Sequence, residues 1–197
     1  MQHDIHIAGH AFRLRPVVAA DASYLLDLRA AGGQFLNRGA RTLDEQRAWL
    51  DRYFARDDDY CFIVETADGH RREGLVGLYD IDCVAKTAEW GRWALAPGSN
   101  AAIESALLVY RFAFDTLSLA WVRCRTLADN AKVVAFHDSC GLARMPAAVT
   151  IEHNGARRAG VEHRLSQHQW PGVRARLDGL AARFATTALR GSGRTCG

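Results

Sequence analysis

The sequence lacks the features that would mark it as a membrane, secreted or metal-binding protein. No apolar run approaches the roughly 18 residues that indicate a membrane helix. The N-terminus has no basic flank followed by an apolar segment, so we predict no signal peptide, no membrane association and a cytoplasmic protein. The five cysteines are odd in number and show no metal-ligand spacing, and the histidines form no metal motif. We therefore expect no metal, and we expect buried, reduced thiols at Cys61, Cys83 and Cys124, which fall in apolar runs.

Lysine is also scarce, and the sequence lacks the glycine-rich motif that often binds dinucleotides. Only Lys86 and Lys132 are lysine, so 23 of the 25 Lys and Arg residues are arginine, and the formal net charge is only +3. The basic residues are scattered instead of forming a stripe, which predicts no nucleic-acid partner. The chain contains no G-x-G-x-x-G, which disfavours a dinucleotide-binding fold.

What remains is the composition of an ordinary globular protein, with 49% apolar and 24% charged residues. The patterns predict the order strand, two helices, three strands, helix, strand, helix, two strands, helix. Three consecutive strands indicate an antiparallel meander, and the later strands interleave with helices. The expected fold class is α/β (α+β): a single domain over residues 1–170, followed by a helical extension and tail over 171–197.

Local signals predict where several elements begin and end. A first helix is expected from about Ala19 to Ala30. Thr42 and Glu45 form a capping-box pattern, which predicts the start of a second helix that ends near Phe54. Gly141 is expected to stop a short helix, and Asn154-Gly155 predicts a hairpin between the last two strands. The segment "GSGRTCG" is expected to be a frayed tail.

The segment "WALAPGSNAAIESALLVYRFAF" predicts a strand, a short turn and a helix. Turns that open into a helix N-terminus often hold phosphates, because unpaired backbone amides and the helix dipole favour an anion there. Gly98 is the only glycine of this segment, and all side chains from Gly98 to Ala102 are small. A plain turn without a ligand is the alternative interpretation.

The register of this turn and helix carries a resemblance. The run from Gly98 to Ala106, followed by Phe112-Ala113-Phe114, Leu117 and Leu119, resembles "G-x-G-Y-A-T-E-A-L…Y-A-F-x-x-L-x-L" of the GNAT superfamily, in its ribosomal-protein-alanine acetyltransferase-like branch. A downstream block is similar to the family's "N-x-x-[apolar]…Y/H-x-x-x-G-F", with Asn130, Val133, His137, Gly141 and Leu142. "AEWG" resembles the amino-sugar-nucleotide acetyltransferases, including the pseudaminic acid pathway type. The likeness spans about Phe12 to Pro171.

The resemblance implies a GNAT-like fold and an acyl-transfer activity. The fold would be a mixed, mostly antiparallel seven-stranded sheet flanked by helices and splayed between the fourth and fifth strands. The activity would be acetyl-CoA-dependent N-acetylation of a small or nucleotide-linked amine, in particular an amino sugar. Protein N-terminal acetylation and a non-catalytic CoA-binding or scaffold module are the alternatives, and homodimerisation is left open.

The resemblance also implies which residues contact acetyl-CoA. The pyrophosphate would lie on the turn, where Asn100 replaces a second glycine and is tolerated because asparagine accepts the left-handed region. Leu95 replaces a family Gln or Arg. The pantetheine arm would pair with the fourth strand and with Asn130, which is alternatively only a helix N-cap. The expected contacts are Trp93, Ala94, Leu95, Gly98, Ser99, Asn100, Ala101, Ala102 and Asn130.

The same resemblance implies two catalytic groups. Glu89 on the fourth strand would take the proton of the acceptor amine. Alternatively, it is a strand carboxylate paired with an arginine. His137 occupies the position of a family Tyr that protonates the departing thiolate, and imidazole would serve because its ordinary pKa lies near neutrality. Alternatively, His137 is structural and water supplies that proton.

Four further residues are expected to bind the acceptor. Arg38 and Arg41, in the loop "NRGAR", would hold phosphates of a nucleotide-linked sugar or another acidic group. Trp49 and Tyr79 would line the acceptor pocket. The alternatives are solvated arginines and core aromatic residues.

Overall fold

The computed structural model describes residues 2–192, with side chains described through residue 186. Within these residues, nine strands form one sheet in the order β1-β2-β3-β4-β5-β6-β9-β7, with β8 paired to β9. The strands are β1 Ile7–Ala8, β2 Phe12–Pro16, β3 Tyr60–Thr66, β4 Arg72–Asp82, β5 Thr87–Leu95, β6 Trp121–Leu127, β7 Ala143–Arg144, β8 Val149–His153 and β9 Ala156–Ser166. The seven predicted strands are all present. The two additional strands, β1 and β7, have two residues each, too short to leave a sequence pattern.

Strand pairing confirms the meander and the later crossovers. β2, β3, β4 and β5 pair in sequence order and antiparallel. β5 and β6 are parallel neighbours joined by a helical crossover, and β6 pairs antiparallel with β9. The sheet is therefore mixed and mostly antiparallel, as expected.

In the part of the chain that the structure describes, five α-helices flank the sheet, and most of their ends follow the predicted signals. They are α1 Ala22–Ala31, α2 Leu43–Phe54, α3 Ala102–Arg111, α4 Ala131–Cys140 and α5 Trp170–Ser192. The Glu45 N–H donates to Thr42 Oγ1 at 3.2 Å, but the Glu45 carboxylate accepts from the Arg41 N–H instead of closing the box on Thr42. Gly141 ends α4 with φ 89°, and Asn154 and Gly155 form a hairpin turn with φ of 56° and 80°.

Two apolar clusters pack on opposite faces of the sheet. Along β3, Cys61 and Ile63 point to the cluster under α1 and α2, whereas Phe62 and Val64 point to the cluster under α3 and α5. All four side chains are fully buried. This strand therefore reads as a continuous apolar run because helices cover both faces of the sheet.

The arginine excess is largely used to pair buried acids. Seven carboxylates of the described residues are buried, and six of them contact an arginine. The Asp21 carboxylate, for example, accepts two hydrogen bonds from the Arg15 guanidinium at 2.7 and 2.8 Å. The seventh, Glu104, accepts backbone N–H groups of the β1–β2 turn. A buried carboxylate needs such partners because an unpaired buried charge is strongly destabilising.

Other expectations are corrected or delimited by the structure. Cys61 and Cys124 are buried as expected, but Cys83 is exposed because it lies in the turn after β4. α5 places Trp170 and Leu177 in the main core and continues through the first two residues of the predicted tail. The rest of that tail, residues 193–197, lies outside the described residues. Within residues 2–192, no helix is long and apolar enough to cross a membrane.

Candidate active site

The parallel strands β5 and β6 correspond to the fourth and fifth predicted strands. They separate at one end, as predicted. They pair only at Thr87, Ala88 and Glu89 of β5, and β5 then continues to Leu95 without pairing to β6. A bulge helps this divergence: Arg92 has φ 49°, and Val76 of β4 lies opposite both Arg92 and Trp93. Bulges bend a strand and often occur beside active sites.

The splay opens into a cavity of about 1030 Å³. Five residues expected at the cofactor and leaving-group end line this cavity: Trp93, Ala94, Leu95, Asn130 and His137. Three residues expected at the acceptor end line it as well: Trp49, Tyr79 and Glu89. Most of the candidate residues therefore share one cavity large enough for two small reactants.

Glu89 lies at the junction of these two ends. Its carboxylate is 4% exposed. The Tyr79 hydroxyl donates to Oε1 at 3.2 Å, while Arg123 Nε and Arg125 Nη2 contact Oε2 at 2.9 and 2.6 Å. Burial raises the pKa of Tyr79, so its phenol is protonated at neutral pH and donates. The alternative interpretation, a carboxylate paired with arginine, is thus correct for Oε2 of Glu89. Its Oε1 instead accepts from the Tyr79 hydroxyl, which lines the cavity.

Gly91 makes room for this tyrosine. Tyr79 and Glu89 are directly opposite on β4 and β5. A Cβ at Gly91 would stand 2.5 Å from the Tyr79 hydroxyl oxygen, far inside van der Waals contact. Glycine at the end of "AEWG" therefore allows the Tyr79 ring to lie across β5.

His137 is buried in an aromatic cluster. It is 3% exposed, its ring centroid lies 5.3 Å from Trp90 and 5.2 Å from His163, and Nδ1 has no hydrogen-bond partner. Burial, followed by the charge of His163, lowers the pKa of His137 to about 4. The expectation of a pKa near neutrality is therefore wrong, because the prediction took the solvated value of imidazole and burial disfavours its charged form.

The conformation of the turn before α3 explains why this turn contains one glycine, Gly98. The Ser99 N–H donates to the Ala96 carbonyl at 2.9 Å, and Gly98 has φ 79°. This is the pattern of a type II turn, with Pro97 and Gly98 at its two central positions. Asn100 is not in the left-handed region, so the conformational reason given for an asparagine there is wrong.

Some of the expected amide donors of this turn are already bonded. The Ser99 N–H binds the Ala96 carbonyl, and the Ala101 N–H donates to Ser99 Oγ at 3.2 Å. Helix α3 begins next, and the first N–H groups of a helix have no intrahelical acceptor. Trp93 Nε1 donates to Ser105 Oγ at 3.0 Å and so attaches β5 to the first turn of α3.

Asn130 precedes α4 but does not cap it with its side chain. Its carbonyl accepts from the Val133 and Val134 N–H groups at 3.1 Å, whereas its amide makes no cap hydrogen bond. The N-cap alternative for this side chain is therefore not supported, and the half-buried amide lines the cavity.

The predicted arginines lie apart from this cavity. Arg38 and Arg41 are exposed and line a smaller cavity of about 400 Å³ behind the α1–α2 connection. Arg29 of α1 contacts both cavities. Trp49, in contrast, faces the main cavity from α2, with the Arg92 guanidinium 5.7 Å from its ring centroid.

Sequence reasoning missed several cavity residues. Arg29 follows Leu25 by four positions, and Gln46 precedes Leu50 by four, so both polar residues share a helix face with buried leucines. A polar residue within an apolar stripe was the available signal. His153, on β8, is buried and contacts the cavity from the far hairpin, and no local pattern indicated it.

Comparison with solved structures defines the class of fold. The structure is similar to a protein from T. thermophilus assigned as an acetyltransferase, with TM-score 0.77, 23% identity and coverage of 91% of this chain and 98% of that one. It is similar to apo FdhC, a nucleotide-linked sugar GNAT, with TM-score 0.75, 24% identity and 88% and 97% coverage. It is also similar to a mutant form of the spermidine N-acetyltransferase SpeG from Vibrio cholerae, with TM-score 0.71, 19% identity and 82% and 96% coverage.

A family comparison then gives the assignment. Residues 12–143, more than half of the chain, match the model described as Acetyltransferase (GNAT) domain. The chain therefore belongs to the GNAT acetyltransferase family, and it is an N-acetyltransferase. Comparison with curated protein sequences finds no match. Acetyl-CoA is the cosubstrate of GNAT domains, and the acceptors are amines.

Proposed function

We propose that this enzyme transfers an acetyl group from acetyl-CoA to the primary amine of a small or nucleotide-linked acceptor, in particular an amino sugar. The observation that carries the proposal is the continuous cavity from the β5–β6 splay to the Tyr79–Glu89 pair. This cavity contacts residues expected to bind each of the two reactants, which supports direct attack within a ternary complex.

The residues available suit the cofactor's chemistry. The thioester supplies an activated acetyl group. We propose that the Gly98 turn and the first turn of α3 receive the pyrophosphate, since their side chains are small and the helix dipole favours an anion. The amide of Asn130 and the unpaired backbone of β5 around Trp93–Leu95 would hold the pantetheine arm and the thioester oxygen.

Tyr79 and Glu89 provide a route for the amine proton. The amine would give its proton to the Tyr79 hydroxyl oxygen while that hydroxyl passes its own proton to Glu89 Oε1, 3.2 Å away. The amine nitrogen bonds to the acetyl carbon, and the carbon–sulfur bond breaks. His137 is neutral at pH 7, so its proposed contribution is a hydrogen bond to the departing sulfur, which water then protonates.

An acceptor panel tests this function. Purified protein is incubated with acetyl-CoA and a neutral amino sugar, a nucleotide-linked amino sugar, spermidine or an N-terminal alanine peptide, and free CoA is measured. We expect stoichiometric CoA release and N-acetylated sugar. Preferred use of the peptide would favour N-terminal acetylation, whereas calorimetric CoA binding without release for any amine would favour a non-catalytic module.

A further inference from the structure

Arg29 is an unusual cation in this protein. Its Nη1 donates to the Asn37 carbonyl at 3.0 Å, but Nε is enclosed and has no partner. Among the described residues, no carboxylate lies within ion-pair distance of Arg29, although six buried carboxylates elsewhere each have an arginine. Burial, and then the charge of Arg92, lower the pKa of Arg29. An anion placed beside this guanidinium would offset both effects.

Gln46, on the neighbouring helix α2, is a second polar residue of the same cavity. It is 1% exposed, it lines the cavity, and neither Nε2 nor Oε1 of its amide has a hydrogen-bond partner. A buried amide without partners is destabilising, because it has lost its hydrogen bonds to water. A polar ligand in the cavity would supply those hydrogen bonds.

The charges of the cavity favour an anion over a cation. Four cations contact it, and two carboxylates do. Of the cations, Arg92 and Arg125 already pair with Asp59 and Glu89, which leaves Arg29 and Lys132. Of the carboxylates, Glu89 is bound by two arginines, so Glu152 is the one cavity carboxylate without an ion pair among the described residues. A polyamine would need several free carboxylates, and the described cavity does not supply them.

We infer that the acceptor is an amine that also carries an anionic group, a carboxylate or a phosphate, bound by Arg29 with the Gln46 amide beside it. The inference rests on the proposed function, since it names the acceptor class of the same cavity. The planar guanidinium of Arg29 would bind carboxylate or phosphate oxygens, since such groups match its donors. The anion would lie beyond the amine, which approaches Tyr79.

Binding to the CoA-loaded protein tests the inference without turnover. Four probes are titrated calorimetrically: glucosamine, glucosamine 1-phosphate, 2-amino-2-deoxyglucuronate and spermidine. We expect at least one anionic probe to bind about tenfold or more tightly than glucosamine, as charge-assisted hydrogen bonds allow. The two anionic probes show whether phosphate or carboxylate is preferred.

Variants of Arg29 test whether the preference for an anionic probe depends on this residue. Arg29→Gln should remove the advantage of the anionic probe, and Arg29→Lys should retain part of it. Arg47→Gln is the matched control, because Arg47 is exposed on the outer side of α2 and pairs only with Asp44. Calorimetric CoA binding shows that each variant is folded.

The outcomes separate the inference from the proposed function. Equal affinity for glucosamine and both anionic probes, tightest binding of spermidine, or an anionic preference that survives Arg29→Gln would each overturn the inference. Acetylation of glucosamine alongside such a result would leave the proposed function intact. Conversely, anion preference through Arg29 without acetylation of any amine would sustain the inference about the pocket and contradict the proposed transfer.

Discussion

At the residue scale, burial determines which groups of the candidate active site carry a proton at neutral pH. His137 is neutral over the physiological range because its surroundings disfavour the imidazolium ion. Glu89 is enclosed, but its Oε1 remains linked to the cavity through Tyr79. In the proposed mechanism, the amine proton therefore passes to a hydroxyl–carboxylate pair and not to a titrating histidine.

The buried imidazole predicts a pH-dependent stability. The folded pKa of His137 is about 4 against an ordinary value of 6.5, so its contribution is complete above pH 6.5 and is lost as pH falls through that window. We expect about 2 kcal/mol of stability to be lost from this group between pH 7 and pH 5. Urea unfolding at both pH values should show a correspondingly smaller fall for His137→Gln. His168→Gln, at an exposed position, is the control, and equal falls in all three proteins would contradict the assignment.

Gly91 offers a steric test of the Tyr79–Glu89 pair. Gly91→Ala would place a Cβ 2.5 Å from the Tyr79 hydroxyl oxygen and displace the ring. We expect kcat to fall about 10²-fold, in the range of general acid–base catalysis, with little change in CoA affinity. Steady-state kinetics and CoA titration measure both.

Two companion variants sharpen this prediction. Tyr79→Phe removes only the hydroxyl and should reproduce the loss in kcat. Gly172→Ala, where no atom lies within 4 Å of the new Cβ, should be neutral. Wild-type turnover in Tyr79→Phe would remove the tyrosine from the proton route.

At the element scale, the turn from β5 to α3 couples the sheet to the helix that would receive the pyrophosphate. Gly98 is required there because a type II turn needs positive φ at its second central residue. Gly98→Val would strain the turn by about 1–3 kcal/mol. We expect it to weaken CoA binding by up to the corresponding factor, about 5- to 150-fold, in calorimetry.

A second glycine provides the control for this turn. Gly155 has φ 80° and also open space around it, but it lies in the distant β8–β9 hairpin. Gly155→Val should therefore lower thermal stability similarly and leave CoA affinity unchanged. If both variants weakened CoA binding equally, the turn would have no special part in holding the cosubstrate.

Helix α5 is part of the core and not an appendage. Leu177 is fully buried and packs in the cluster with α3. We expect Leu177→Ala to reduce the free energy of unfolding by about 2–5 kcal/mol, as for other buried leucines. Chemical denaturation measures this loss. The exposed Arg176→Ala is the control on the same helix, and a Leu177→Ala protein as stable as wild type would contradict the packing.

The elements themselves were predictable from the sequence because their signals are local. Short apolar runs bounded by turn residues predicted the seven longer strands, and Gly141 and Asn154-Gly155 predicted ends that the structure confirms. The strands β1 and β7 were missed because two residues carry no period. The candidate site was only partly predictable. Tyr79 and Glu89 meet through strand register, whereas Arg29 and Gln46 reach the cavity only through the packing of α1 and α2.

At the scale of the whole molecule, one cavity links the splayed strands to the helices over the opposite end. Three segments distant in sequence, around Arg29, Tyr79 and Asn130, form its walls. No pattern in a single segment could reveal that arrangement. The family assignment accounts for the splayed sheet.

The central claim is that acetyl-CoA occupies the β5–β6 splay with its thioester directed toward the Tyr79–Glu89 pair. A crystal structure of the complex with CoA tests it most directly. We expect the pyrophosphate to bind the amides of the Gly98 turn and of the start of α3. We expect the sulfur to lie inside the cavity, between Trp93 and His137. A pyrophosphate bound elsewhere, or a sulfur outside this cavity, would contradict it.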